Sequence, residues 1–199
     1  MVRIINLVLA ICYIFSNAAC NDFQSDNDIK NLTKDGQKII DSIMSESNKK
    51  YQPYRYADSL VNADHTLAVL VKLDSLIKLY PNDHLIYICK GDWYYKNGEY
   101  SNALNEYNNS AKIAQDESPQ LLDKKAKAYI ELNNLAEATN CYKKAAAMNY
   151  DYYFSLAQSY ELSNKIDSSI KYYSIYIKHY PAEQHVKYHM DSLIADIKK

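Results

Sequence analysis

The sequence predicts an all-α fold, a solenoid of about four helix-turn-helix units ending in a capping helix. Three observations carry this prediction. Helix breakers are scarce, with three glycines and four prolines in 199 residues, too few for a turn-rich β-sandwich. The segments IKLYP (77–81) and IKHYP (177–181) are near-copies set 100 residues apart. Between them, small, large and turn-favouring residues recur at one beat, the mark of a repeat architecture.

The N-terminus is of different material. Met-Val-Arg precedes the mostly apolar run IINLVLAICYIF, residues 4–15. That run is shorter than the about 20 apolar residues a spanning helix needs, and it suits a signal peptide over 1–19. The residues SNAAC then bring small side chains to Cys20. They resemble the end of a bacterial lipobox, with Asn17 where that motif usually has leucine. The resemblance implies cleavage before Cys20 and acylation of its thiol with palmitate-type chains. An ordinary secreted signal and an uncleaved anchor are the alternatives.

Residues 20–34 are polar, with Asp22, Asp26 and Asp28 close behind Cys20. They have little to bury and read as a flexible tether. An acidic stretch in this place resembles the surface-export signals of Bacteroidetes lipoproteins. KDGQKIIDSIMSE then sets Ile39, Ile40, Ile43 and Met44 at helical spacing, predicting a lead-in helix over 35–49.

The array follows over 50–182. A small residue recurs as Ala57, Gly91, Ala126 and Ala157, with a large one three places later as Leu60, Tyr94, Tyr129 and Tyr160. Turn-favouring Asp64, Gly98, Asn133 and Asn164 come next, followed by Thr66, Tyr100, Leu135 and Ile166. Each second helix then supplies a small residue (Val69, Ala103, Ala138, Ser169) and a large one (Leu73, Tyr107, Tyr142, Tyr173). Every set steps by 34, 35 and 31 residues. Within units the stripes agree, as in Ala138, Cys141, Tyr142 and Ala145. Pro81 and Pro181 stop their helices near Tyr80 and Tyr180, because proline lacks an N–H and disfavours helix at the residue before it.

This pattern resembles the tetratricopeptide repeat (TPR), a helix-turn-helix unit of about 34 residues. The resemblance implies a right-handed α-solenoid with units near 50–83, 84–117, 119–152 and 149–182. Residues 183–199 carry Val186, Met190, Leu193, Ile194 and Ile197 and read as the capping helix that a solenoid end requires.

Reactive chemistry is sparse. The formal net charge is −1, so no basic field invites nucleic acid. No GxxxxGK[ST] or GxSxG occurs. His185 and His189 share a helix face, but HVKYH lacks the glutamate of the HExxH zinc motif and shows no third ligand. They read as a solvated face, with His179 across a turn and His65 and His84 in loops. Cys89 and Cys141 read as small buried hydrophobes; a disulfide between them is the alternative. No enzyme activity, cofactor or metal is expected.

A binding surface remains. In TPR arrays the first helix of each unit lines a concave groove that holds a partner segment. The resemblance places Tyr51, Tyr54, Asp58, Leu85, Ile88, Asp92 and Tyr95 there, then Asp123, Lys127, Ile130, Phe154, Gln158 and Glu161. Asp92 would repel a carboxylate, so the carboxylate-clamp type of TPR is disfavoured. The expected function is a membrane-anchored envelope lipoprotein, of the outer membrane, that binds an unidentified protein or peptide. It is similar in outline to TPR lipoproteins of β-barrel assembly and type IV pilus biogenesis. A glycan-binding surface lipoprotein using exposed tyrosines is the alternative, as each ring offers a stacking face. A site built from His179, His185 and His189 would point to an enzyme.

Overall fold

The computed structural model describes residues 52–63 and 66–197. Among these residues nine helices follow one another and no strand occurs. Helix α1 covers 52–63 and α2 covers Leu67–Leu79. Then come α3 (His84–Lys96), α4 (Tyr100–Ala114), α5 (Pro119–Glu131) and α6 (Leu135–Met148). The chain ends in α7 (Tyr152–Leu162), α8 (Ile166–His179) and α9 (Gln184–Ile197). The expected signal segment 1–19, Cys20 with its tether, the lead-in helix 35–49, Tyr51, Asp64 and His65 lie outside the described residues.

The turns inside the units are alike for a physical reason. Gly98, Asn133 and Asn164 all take positive φ, at 78°, 56° and 55°. Glycine, and to a lesser degree asparagine, tolerates that region. Each closes the preceding helix in the same way. The N–H of Glu99 donates to Tyr94 O, that of Asn134 to Tyr129 O and that of Lys165 to Tyr160 O, at 2.9, 2.8 and 2.9 Å. These are the long bonds of a Schellman ending. Two connections between units carry side-chain N-caps. Asp83 accepts from Leu85 N–H at 3.1 Å, and Ser118 accepts from Leu121 N–H at 3.2 Å ahead of Pro119. The Asp83 cap starts α3 at His84, so that histidine opens a helix and does not sit in a loop.

Both tyrosine-proline copies end a second helix identically. Tyr80 N–H donates to Leu76 O at 2.8 Å and Tyr180 N–H to Tyr176 O at 2.9 Å. Asp83 and Glu183 N–H then donate to Tyr80 O and Tyr180 O, each at 3.1 Å. The short step of 31 residues arises in part from a three-residue connection at 149–151, where 80–83 and 115–118 have four, and in part from α7. This helix has 11 residues where α5 has 13, and its lost length is at the N-terminal end, before Ala157.

Packing is densest within the pairs α3–α4, α5–α6 and α7–α8, and lighter between successive pairs. The small residues explain this. Ala57, Ala126 and Ala157 are wholly buried, as are Ala103, Ala138 and Ser169, and Gly91 is buried with them. Their lack of bulk lets paired helices approach. Leu73, Tyr107, Tyr142 and Tyr173 fill the space left over, each contributing roughly 1.5–3 kcal/mol on burial. The core is a succession of four apolar clusters along the array. On α9, Val186 is buried and Met190 and Leu193 pack beside it. Ile197, expected on the same stripe, is exposed.

Candidate partner-binding face

The side chains that shape the first-helix face are set from behind, by core tyrosines. Tyr107 Oη of α4 donates to Asp92 of α3 at 2.8 Å. Tyr142 Oη of α6 donates to Asp123 of α5 at 3.2 Å, and Tyr173 Oη of α8 to Glu161 of α7 at 3.0 Å. The three rings hold equivalent places in the repeat, yet their acceptors differ. Asp92 lies just after the small residue Gly91, Asp123 lies before Ala126, and Glu161 lies a turn after Ala157. Gly91 accounts for the first case. A Cβ there would stand 2.4 Å from Tyr107 Cε1 and 2.6 Å from Cδ1, so the ring crosses the helix directly over the missing methyl. Burial, reinforced by the acceptor carboxylates, pushes all three phenols up, so they remain donors.

Two concavities result. A smaller one of about 340 Å³ is lined by Asp92, Tyr95, Asp123, Lys124, Lys127 and Tyr152, among others. Lys124 Nζ lies 2.8 Å from both Asp92 oxygens and ties α5 to α3. Lys127 Nζ lies 2.7 Å from Asp123 Oδ2. Tyr95 stands edge-on to Tyr100 with centroids 5.3 Å apart. The larger concavity, about 630 Å³, lies among α5, α7 and α9 and includes Ile130, Phe154, Gln158, Glu161, Leu162, Val186 and His189. His189 Nε2 is 3.0 Å from Glu161 Oε2, the oxygen that also accepts from Tyr173.

The residues predicted for the groove are thus divided. Asp92, Tyr95, Asp123 and Lys127 share the smaller concavity, while Ile130, Phe154, Gln158 and Glu161 share the larger. Tyr54, Asp58, Leu85 and Ile88 line neither. Tyr54 and Ile88 pack against the core, and Asp58 accepts from Asn62 Nδ2 at 3.2 Å. Lys124 and the α9 side chains are additions that the repeat pattern did not supply. An ion-pair partner one unit away, or a cap folding back, is a long-range fact with no local spacing.

The histidines do not converge. His179 stacks on Tyr150 at 3.8 Å, His185 pairs with Glu183 at 3.2 Å, and His189 pairs with Glu161. His185 and His189 are both exposed, as expected of a solvated face, and both also line the larger concavity. Among the described residues no group of three His, Cys, Asp or Glu could hold a metal ion. Cys89 and Cys141 are buried free thiols, and burial pushes both upward.

Several tyrosines form a ladder elsewhere. Tyr150 stacks on Tyr153, Tyr153 on Tyr172 and Tyr172 on Tyr160, with centroids 5.7, 6.0 and 5.3 Å apart. Lys171 lies 5.6 Å from the Tyr172 ring. Each ring of the ladder spends a face on a neighbour.

Comparison with known proteins agrees with the geometry. The tetratricopeptide repeat model matches residues 151–182. No curated protein matches the chain. Among solved structures, YrrB, a TPR protein with an unusual peptide-binding site, is 14% identical with a TM-score of 0.60, over 77% of this chain and 83% of its own. The C-terminal part of a TPR repeat-containing protein from Cytophaga hutchinsonii is 17% identical with a TM-score of 0.62, over 73% of this chain and 58% of its own. The first TPR of Spaghetti (RPAP3), bound to the HSP90 peptide SRMEEVD, is 21% identical with a TM-score of 0.51, over 58% of this chain and 94% of its own. The chain therefore has an all-α helical-repeat solenoid fold of the tetratricopeptide kind, and residues 151–182 match the repeat itself.

Proposed function

We propose that the chain is a membrane-anchored lipoprotein of a bacterial cell envelope, placed in the outer membrane, whose solenoid holds a protein or peptide segment along its first-helix face. The observation that carries the binding role is the pair of concavities along that face, built from side chains already fixed by core tyrosines. Groups held in place before binding lose little freedom on contact. YrrB has a peptide-binding site and RPAP3 binds an HSP90 peptide, and both support a peptide-sized occupant here. The anchor reading rests on SNAAC and the apolar run before it. Acyl chains on Cys20 would add about 0.8 kcal/mol per buried methylene. The glycan alternative is weaker, since the tyrosine ladder spends ring faces internally.

A photo-crosslinking residue in place of Gln158, on this face, tests the binding role in native cells against the same residue in place of Met148, exposed on α6. A discrete protein adduct from position 158 and not from 148 is expected. No adduct from 158, or equal adducts from both, refutes the groove. Separately, Cys20→Ala should abolish acylation and release the chain from membranes; a variant that stays membrane-bound refutes the anchor.

A further inference from the structure

The larger concavity has chemistry of its own. Its walls include Ile130, Phe154, Leu162 and Val186. Leu162 is 57% exposed, and of the large exposed hydrophobics among the described residues it alone lines this site. Glu161 is the one carboxylate lining it. Both of its recorded partners, Tyr173 Oη and His189 Nε2, meet Oε2, which leaves Oε1 with no partner among the described residues. Asp92 and Asp123 differ, since each is met by a lysine ammonium. Neither lysine lines the larger concavity. Its fixed charge is therefore that of Glu161, beside apolar walls.

We infer that this site takes a side chain with an apolar stem and a cationic tip, the lysine or arginine of a partner peptide. This rests on the peptide-binding reading above. The stem lies against Phe154 and Leu162, as long basic side chains do on apolar surface, and the tip donates to Glu161 Oε1 in a charge-assisted hydrogen bond. An acidic partner residue would meet the carboxylate and be rejected.

The test pans a random 12-residue phage-displayed peptide library on the full-length chain in detergent. Enriched peptides are then synthesised and titrated against the wild type, Glu161→Gln and Asp167→Asn, the last an exposed carboxylate on α8 that lines neither concavity. Glutamine keeps an oxygen for Tyr173 and removes the charge. Peptides sharing a lysine or arginine, weakened tenfold or more by Glu161→Gln and less than threefold by Asp167→Asn, are expected. Enriched peptides with no shared basic residue, or indifferent to Glu161→Gln, overturn this inference and leave the peptide-binding reading standing. If no peptide enriches, the peptide-binding reading falls and this inference with it. Unchanged circular dichroism and urea midpoint for each variant confirm that the fold is intact.

Discussion

Gly91→Ala sets two effects of opposite sign against each other. In a helix interior, alanine is favoured over glycine by about 1 kcal/mol, and Gly91 lies inside α3. Propensity alone therefore predicts stabilisation. The added Cβ, however, would stand 2.4 Å from Tyr107 Cε1 and 2.6 Å from Cδ1, and Tyr107 is buried. The ring must move, at an overpacking cost of about 1–3 kcal/mol. Moving it withdraws its hydroxyl from Asp92, 2.8 Å away, and a hydrogen bond to a charged group contributes about 1.5–3 kcal/mol. The net expectation is destabilisation by about 1.5–5 kcal/mol. Urea titration followed by the fluorescence of Trp93, the only tryptophan and buried in the same unit, reads this directly. A second arm isolates the hydrogen bond: Tyr107→Phe should destabilise the wild type and do little in the Gly91→Ala background. A Gly91→Ala protein as stable as the wild type or more so would falsify the account of how this ring is seated.

Other consequences follow from the same geometry. Asn133 at φ 56° should tolerate glycine, while Asn133→Ala should cost about 1 kcal/mol in urea unfolding; equal stability of the two variants contradicts the left-handed turn. Cys89 and Cys141 are buried with their thiols pushed up, so peptide mapping after iodoacetamide at pH 8 should show both alkylated at least about tenfold faster in urea than in the native state; rapid native labelling refutes their burial. Glu117 is held below the usual carboxylate range by its hydrogen bond to Lys125 and by Lys144. A depressed carboxylate stabilises above its unfolded value, about 4.3, and that stability is lost as pH falls through the lower folded value. Glu117→Gln should therefore cost up to about 1 kcal/mol at pH 7, the scale of exposed pairs, with the difference shrinking below pH 4; a difference constant with pH excludes the ion pairs as its cause.

The repeat was legible because each of its devices is local. Turn residues at Gly98, Asn133 and Asn164 have one backbone requirement, φ above zero, that few residue types meet, and all three have it. Small residues at 57, 91, 126 and 157 mark close helix approach, and all are buried. The prolines of the two near-copies marked where α2 and α8 end. These features follow from steric rules within one unit, so spacing alone exposes them.

The proposed binding face was legible only in part, for a reason the tyrosines make plain. The beat predicts a large ring at 107, 142 and 173, and each ring is buried there. It does not say where the hydroxyl goes. That depends on whether the facing small residue carries a methyl and on where a carboxylate stands along the first helix. One repeat position thus yields three different polar arrangements, and the face acquires a distinct chemistry at each unit while the scaffold stays regular. Only at the last unit does α9 fold back, so that His189 joins Tyr173 on a single oxygen of Glu161. A variant such as Glu161→Gln should therefore alter recognition more than it alters the fold, because the repeat's small and turn residues, and not this carboxylate, hold the helices together.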